Sequence, residues 1–223
     1  MAGRRGDRLY AERGYQVRIL CLSYGERGEP ERLGKIERMT VDRIQEDRHA
    51  ESSRAAAMGA ETRLCDMGHY PIVPTQEKIV EMVNEFGEHK PQIVLTHSFA
   101  DPYHPDHSLA NDLTLKARVY AQAAGYPAKG KGRQEDAPPV LLFEPHQPEQ
   151  CNFKPQVLLD ITPVWDKKLK AMESMATQEH LVTYTPISGG GATCMPCATP
   201  VGAVSGTPKP TRGFYPQVTD TLE

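Results

Sequence analysis

The chain has 223 residues and a net charge of −3, with 25% charged and 39% hydrophobic side chains. That length is typical of one domain with a sizeable core, and the weakly acidic balance indicates neither a nucleic-acid nor a membrane partner. No apolar stretch approaches the roughly 20 residues of a membrane span, and the opening MAGRRGDRLYAERGYQ lacks the apolar core of a signal peptide.

Short β-rich runs alternate with helical segments along the chain. Strands are predicted at 16–25, 63–68, 92–98, 138–145 and 156–162, and helices at 36–59, 76–88, 108–124 and 163–180. The second helix has apolar side chains at helical spacing, and Thr75 is its predicted N-cap. The alternation predicts an α/β fold with a mostly parallel sheet. In such sheets the chemistry gathers at loops that follow the carboxyl ends of strands.

Two stretches depart from this plan. Residues 1–9 carry no strand, although a doubly wound sheet usually opens with one. Residues 186–213 are rich in Gly, Pro, Ala and Thr without periodicity, which predicts loop or disorder. This stretch contains Cys194 and Cys197 as a lone CMPC pair, interpreted as chance. The five cysteines, an odd number, favour a reducing cytoplasm over a disulfide framework.

The segment SYGERGE (23–29) ends the first predicted strand with a glycine turn and two carboxylates, Glu26 and Glu29. It is either a polar connection or part of a site, and its place at a strand's carboxyl end favours the second interpretation. Two arginines, Arg18 in the strand and Arg27 in the loop, are candidates to meet an anionic substrate.

The segment THSFADPYHPDHS (96–108) is the densest group of functional residue types. His97 closes a predicted strand, and the loop behind it holds Asp101, His104, Asp106 and His107. Helix capping by Asp106 or Ser108 explains an Asp or a Ser but not two histidines. A zinc or iron site uses a neutral imidazole whose other ring nitrogen is held by a carboxylate. The spacing would let one histidine bind metal while the other faces substrate. The alternative is a solvated loop.

The segment FEPHQPEQC (143–151) again follows a predicted strand and offers Glu144 and His146. Its two prolines predict a rigid, irregular loop. A polar connection and a contribution to a site remain equally open for it.

With these residues considered, the chain resembles the PIG-L/LmbE-like metal-dependent family, best known for N-acetylglucosaminyl deacetylases. The resemblance is carried by LYAERGYQVRILCLSYGERGE, SSRAAAMGAE, PQIVLTHSFADPYHPDHSLA and DITPVWDKKLKAMESMATQEH. Within the family, APPVLLFEPHQPEQC, DITPVWDKK and QEHL resemble the 4-oxalomesaconate hydratase branch. The likeness covers about residues 9–183 and the closing FYPQVTDTLE.

The resemblance implies a Rossmann-like sheet flanked by helices, with Zn²⁺ or another divalent metal above the strand ends. It assigns His107 to the metal, His104 to catalysis and Asp106 to the orientation of His104. The resemblance further implies that five residues contact the substrate or hydrogen-bond to the metal's ligands: Glu26, Glu29, His97, Glu144 and His146.

The chain also departs from the family's pattern. Members open with a strand and an AHxxD-like loop that supplies two further metal ligands, whereas this sequence starts MAGRRGDR. We therefore expect a single domain over 1–223 that lacks the usual first strand, with 1–9 and 186–213 disordered or frame-shifted. Without that central strand its neighbours would lose pairing, and the chain would be unstable. Sequencing the gene around codon 1 and codons 184–213 tests the frame-shift hypothesis.

The expected activity is that of a metal-dependent hydro-lyase that adds water to 4-oxalomesaconate, giving 4-carboxy-4-hydroxy-2-oxoadipate in gallate and protocatechuate degradation. An acid such as His104 would complete the proton transfer. The alternatives are a zinc-dependent N-acetyl deacetylase and an inactive remnant of the family. The expected partner is a small tricarboxylate, with no nucleic acid and no membrane, in a cytoplasmic protein for which a homo-oligomer is left open.

Overall fold

The computed structural model describes residues 10–11, 13–27, 40–56, 59–126, 132–145, 147–157, 164–175 and 200–205. Within these ranges the strands are β1 Gln16–Cys21, β2 Glu61–Leu64, β3 Ile93–Thr96, β4 Val140–Leu142 and β5 Pro200–Ser205. The helices are α1 Val41–Ala56, α2 Gln76–His89, α3 Pro105–Tyr120 and α4 Trp165–Glu173. The predicted α/β class is confirmed. None of the helices described combines the length and the apolar character needed to cross a membrane.

The five strands form one sheet in the order β2-β1-β5-β3-β4. The pairs β1–β2 and β3–β4 are parallel, while β5 is antiparallel to both β1 and β3. Four strands therefore point the same way, and the predicted mostly parallel sheet is confirmed. Their carboxyl ends lie at one edge of the sheet, so the loops that follow them can share a site.

Strand β5 corrects the prediction for the stretch 186–213, which was loop or disorder throughout. Residues Pro200–Ser205 pair with β1 on one side, Ile19 opposite Gly202, and with β3 on the other, Leu95 opposite Gly202. The neighbours of the central position therefore do not lose their pairing, in contrast to the expectation from the sequence. Strand pairing uses backbone N–H and C=O groups, so a segment without side-chain periodicity can supply it. Residues 1–9 and the rest of 186–213 lie outside the described ranges.

Helix α2 matches its prediction closely. The Thr75 side chain accepts a hydrogen bond from the Lys78 backbone N–H, which confirms the predicted N-cap. Met82, Val83 and Phe86 are buried in the core against α3 and the sheet. The 3.6-residue period of the sequence therefore places one apolar face of this helix inward.

Other boundaries differ from the predictions. Helix α3 starts at Pro105, not residue 108, since proline suits the first helical position, where its missing N–H is not needed. The N-cap of α3 is His104, not Asp106 or Ser108, and the His104 side chain makes no capping hydrogen bond. The predicted strand 156–162 is not formed at 156–157, and 158–162 lies outside the described ranges. Helix α4 covers the start of the predicted 163–180 helix, whose end, from 176, is not described.

A buried carboxylate ties α2 to the first two strands. Glu85, only 5% exposed, accepts a hydrogen bond from Arg18 at 2.9 Å and another from Arg63. Arg18 also contacts Glu61 at 2.6 Å. This network occupies Arg18, so the structure does not support the interpretation that Arg18 meets an anionic substrate.

Replacing Glu85 by Gln is expected to destabilise the chain by about 2 kcal/mol, because two partly buried guanidinium groups lose their shared counter-charge. Urea unfolding of the purified variant measures the change. The matched control is Asp112→Asn, which removes a solvent-exposed pair with Lys116 and is expected to leave the midpoint unchanged. Equal losses in both variants would contradict the prediction.

Candidate active site

Loops from the first three strands meet at the carboxyl edge of the sheet. The loop after β1 and the loop after β2 are joined by backbone bonds from Cys65 to Cys21 and from Met67 to Leu22, both 2.8 Å. The Arg27 backbone N–H donates to His69 Nδ1 at 3.2 Å. The loop after β3 leads into α3 and carries the predicted histidines.

His107 and Asp101 form a buried pair in which His107 Nδ1 lies 2.8 Å from Asp101 Oδ2. Asp101 Oδ1 also accepts from the backbone N–H groups of Tyr103 and His104, at 3.1 and 3.0 Å. These contacts fix the His107 ring and leave its buried Nε2 without a hydrogen-bond partner in the structure described. A carboxylate on one ring nitrogen with the other nitrogen open is the arrangement of a metal-binding histidine.

The three site histidines stack in one column. The ring centroids of His97 and His107 are 4.0 Å apart, and those of His107 and His104 are 3.6 Å apart with the planes inclined by 7°. The Tyr70 ring continues the column on the outer side of His104 at 4.7 Å. The Phe143 ring makes a T-shaped contact with His97 at 4.6 Å at the inner end. The tertiary structure thus brings His97, His104 and His107 into direct contact.

Burial keeps these imidazoles neutral. It lowers the pKa of His104 to about 4, and the neighbouring His107 and His69 lower it further than the nearby carboxylates raise it. Burial also lowers the pKa of His97 and, despite the Asp101 carboxylate, that of His107. For Asp101 burial acts to raise the pKa, but the hydrogen bonds from His107 and two backbone N–H groups lower it overall. At neutral pH the imidazoles of His97, His104 and His107 are therefore neutral and lie beside the Asp101 carboxylate.

The low histidine pKa values make stability depend on pH. Unfolded, these imidazoles take up protons near pH 6.5, whereas folded His104 does so only near 4. Below about pH 6.5 the unfolded chain binds more protons, so the free energy of unfolding is expected to fall as the pH drops toward 4. Urea midpoints at about pH 7.5 and about pH 5 measure this slope. The variant His104→Gln should show a shallower slope, and an unchanged slope would contradict the expectation.

The hydrogen bonds of Asp106 in the described residues go to the loop after β2 and not to His104. Its Oδ2 accepts from the Tyr70 backbone N–H at 2.9 Å, and its Oδ1 accepts from Ile72 at 3.1 Å. Both carboxylate oxygens are thus engaged by the loop after β2, and the orientation of His104 by Asp106 stays a prediction. Ser108 does not cap the helix either, because its Oγ accepts from the Asp101 backbone N–H.

The structure describes some of the remaining predicted site residues but not all of them. Glu26 is buried in the loop after β1, and Glu144 is half-buried just beyond β4. His97 is buried within the column, and Asn111 donates to its carbonyl at 2.6 Å. Glu29 and His146 lie outside the described residues.

Two contributors, His69 and Tyr70, were missed by the sequence-based prediction. They follow β2 in the segment DMGHYP, and their rings lie 5.8 and 4.7 Å from that of His104. A loop at the carboxyl end of a predicted strand was the signal that could have found them. Arg27 lies next to them, since its guanidinium donates to the Tyr70 carbonyl at 3.1 Å.

The described residues do not by themselves form a complete metal site. Across these ranges, no three His, Cys, Asp or Glu side chains cluster in a way that could hold a metal ion. His107 Nε2 is suited to be one ligand, but a catalytic zinc site uses three protein ligands. The zinc assignment therefore stays a prediction.

The fold and the site define an α/β enzyme whose histidine–carboxylate centre lies at the carboxyl ends of parallel strands. The chain belongs to the PIG-L family: the family model described as GlcNAc-PI de-N-acetylase matches residues 7–118. This confirms the family that the sequence motifs indicated.

Two individual relatives, one protein sequence and one crystal structure, carry the names of hydratases. The chain is 44% identical over 177 residues to a Pseudomonas putida protein named 4-oxalmesaconate hydratase, covering 79% of this chain and 68% of that protein. It is also similar to the crystal structure of GalB, the 4-carboxy-2-hydroxymuconate hydratase of Pseudomonas putida KT2440. That match has a TM-score of 0.76 and 36% identity, and it covers 100% of this chain and 92% of the other.

A more distant structure shares the fold alone. The N,N'-diacetylchitobiose deacetylase of Pyrococcus horikoshii matches with a TM-score of 0.67 at 17% identity, covering 92% of this chain and 78% of that one. The predicted resemblance to the hydratase branch is therefore the one that the relatives with higher identity support.

Proposed function

We propose that this chain is a hydratase that adds water to the C=C bond of 4-oxalomesaconate, giving 4-carboxy-4-hydroxy-2-oxoadipate in the degradation of gallate and protocatechuate. The observation that carries the proposal is the buried column of neutral histidines with its Asp101 carboxylate. It occurs in a chain that is 44% identical to a protein named 4-oxalmesaconate hydratase. We also propose that the protein is cytoplasmic and acts on a small tricarboxylate, with no nucleic-acid or membrane partner.

Hydration needs a group that first accepts a proton and then returns one. His104 is neutral at pH 7 because burial lowers its pKa to about 4, so it acts first as a base toward a water molecule. One O–H bond of the water breaks, a C–O bond forms at one alkene carbon, and the electron pair of the C=C π bond moves to the other carbon, which becomes a carbanion. The resulting imidazolium then delivers its proton to that carbanion. His104 therefore serves as base and then as acid, a fuller role than the acid predicted from sequence.

The neighbouring rings help to return the proton. His107 stacks on His104 at 3.6 Å, and both rings are buried. A positive charge on His104 is poorly solvated there, which favours rapid transfer to the substrate carbanion. Asp101 holds His107 in one orientation and so keeps His104 in place from the inner side.

A tricarboxylate substrate needs cationic contacts, and Arg27 is the arginine we assign to that role. Its backbone N–H and its guanidinium bond to His69 and Tyr70, which lie beside His104. A guanidinium pairs well with carboxylates because its planar N–H groups match their two oxygens. Zn²⁺ or another divalent metal remains part of the proposal as the family's cofactor. His107 Nε2 would hold it, and the metal would supply a Lewis acid for the substrate's oxygens.

The decisive experiment measures hydration directly. The purified chain is incubated with 4-oxalomesaconate, loss of the conjugated ultraviolet absorbance is followed, and the product is identified by mass spectrometry. In parallel, N-acetylglucosamine conjugates are tested for acetate release. Hydration without acetate release is the expected result. Acetate release without hydration would replace the proposal by a deacetylase, and turnover of neither compound would indicate an inactive relative.

A further inference from the structure

Tyr70 adopts a backbone conformation that an aromatic residue rarely takes. Its φ of 45° lies in the left-handed region, where the Cβ of an L-residue crowds the following carbonyl oxygen. Glycine and asparagine tolerate this region better. A strained non-glycine residue beside reactive groups persists when the surroundings hold it there, and it often has a functional reason.

Residues from two other parts of the fold hold the Tyr70 backbone. Asp106, buried in the first turn of α3, accepts from the Tyr70 N–H at 2.9 Å and from the Ile72 N–H at 3.1 Å. Arg27, from the loop after β1, donates to the Tyr70 carbonyl at 3.1 Å. Both backbone polar groups of Tyr70 are therefore engaged, which keeps the residue in its unfavourable conformation.

The Tyr70 ring is held against the outer face of His104. Their centroids are 4.7 Å apart with the planes inclined by 27°, while His107 lies 3.6 Å from the opposite face. His69 packs against Tyr70 at 4.2 Å and supports it from the side. His104 is thus confined between two rings, and it would be free to rotate outward if the outer ring were removed.

We propose that Tyr70 is a positioning residue for His104. Asp106 and Arg27 hold its backbone so that its ring keeps the His104 imidazole in the orientation needed for proton transfer. The activity part of this inference rests on the proposed hydratase function, whereas the orientation of His104 can be observed without turnover. The positioning role also gives a reason for a tyrosine at a position whose backbone asparagine or glycine would fit better.

The test uses Tyr70→Asn, which removes the ring and suits the left-handed backbone. We expect kcat to fall about 10- to 100-fold with KM changed less than about threefold, because the base is misplaced while substrate contacts remain. The melting temperature should stay within about 3 °C of the wild type or rise, since backbone strain is relieved. Tyr70→Phe keeps the ring and should retain most of the activity.

The matched control is Tyr120→Asn in the last turn of α3. Tyr120 and Tyr70 are both 37% exposed, and the Tyr120 ring also stacks on another aromatic ring, that of Tyr126, at 4.9 Å. The same substitution there should leave kcat and KM unchanged. A fall in kcat for the control as large as that for Tyr70→Asn would overturn the inference.

The orientation of His104 is read separately by NMR, from nuclear Overhauser effects between the ring C–H groups of His104 and His107, whose centroids are 3.6 Å apart; His104→Gln is used to assign the His104 signals. These effects should weaken in Tyr70→Asn but persist in Tyr70→Phe and Tyr120→Asn. Effects of unchanged strength in Tyr70→Asn, or a rise in KM with kcat unchanged, would overturn the positioning role. If the wild-type chain shows no hydration, the proposed function fails and the NMR measurement alone decides the inference.

Discussion

Replacing His104 by Gln is expected to lower kcat for hydration by about 10²- to 10⁴-fold, the usual worth of a general acid–base group. Glutamine is polar, neutral and of similar size, so it can occupy the space between Tyr70 and His107. It cannot accept a proton from water at any pH near neutrality. Steady-state kinetics with 4-oxalomesaconate measures the loss, and KM should change far less than kcat.

The control for this change is His49→Gln, the same substitution at an exposed histidine of α1. It should leave kcat and KM unchanged, and the far-ultraviolet circular dichroism of both variants should match the wild type. A His104→Gln variant that keeps more than about a tenth of the wild-type kcat would remove His104 from the mechanism.

Replacing His107 by Ala is expected to abolish measurable hydration, with kcat/KM lower by about 10³-fold or more, because it removes the ring that supports His104 and the proposed metal ligand. It also empties the centre of the column and leaves Asp101 buried without its imidazole partner. The free energy of unfolding should therefore fall by about 3 kcal/mol. Kinetics and urea unfolding measure these two effects, and metal content by mass spectrometry shows whether the proposed metal is lost with the ligand.

The partner variant Asp101→Asn tests whether His107 and Asp101 act together. It should lower activity by about 10- to 100-fold, as expected when a group that orients a reactive histidine is weakened. When Asp101→Asn is combined with His107→Ala, the losses of activity and of stability should be clearly smaller than the sums of the single losses, because the interaction between the two residues is lost only once. Strict additivity of activity and stability would show that the two residues act independently.

Local sequence patterns predicted part of this architecture well. Helix α2 was predicted at 76–88 and is observed at Gln76–His89, because its amphipathic period and the Thr75 cap are properties of neighbouring residues. Four of the five predicted strands are observed in about the right places but were predicted too long; β1 ends at Cys21, not residue 25. A strand ends where the adjacent strand stops pairing with it. The residues next to it in sequence do not specify that point.

Strand β5 shows the limit of such patterns. Nothing in the Gly/Pro-rich stretch predicted a strand, yet Pro200–Ser205 occupies the central position between β1 and β3. Main-chain hydrogen bonds between segments far apart in sequence form this pairing. Hydrophobic periodicity reports side-chain burial, so it is insensitive to a strand of this kind.

The sequence by itself determined the α/β class and the family, and it singled out His104 and His107 as the proposed reactive pair, because the HPDH motif follows a predicted strand and resembles the motif of the family. Only the tertiary structure decided what surrounds them. It pairs Asp101 with His107, turns Asp106 toward the loop after β2, and places Tyr70 on His104. The physical reason is that His107 and Asp106 are adjacent in α3 but point to different neighbours, and those neighbours come from separate loops that meet only when the sheet aligns its strand ends.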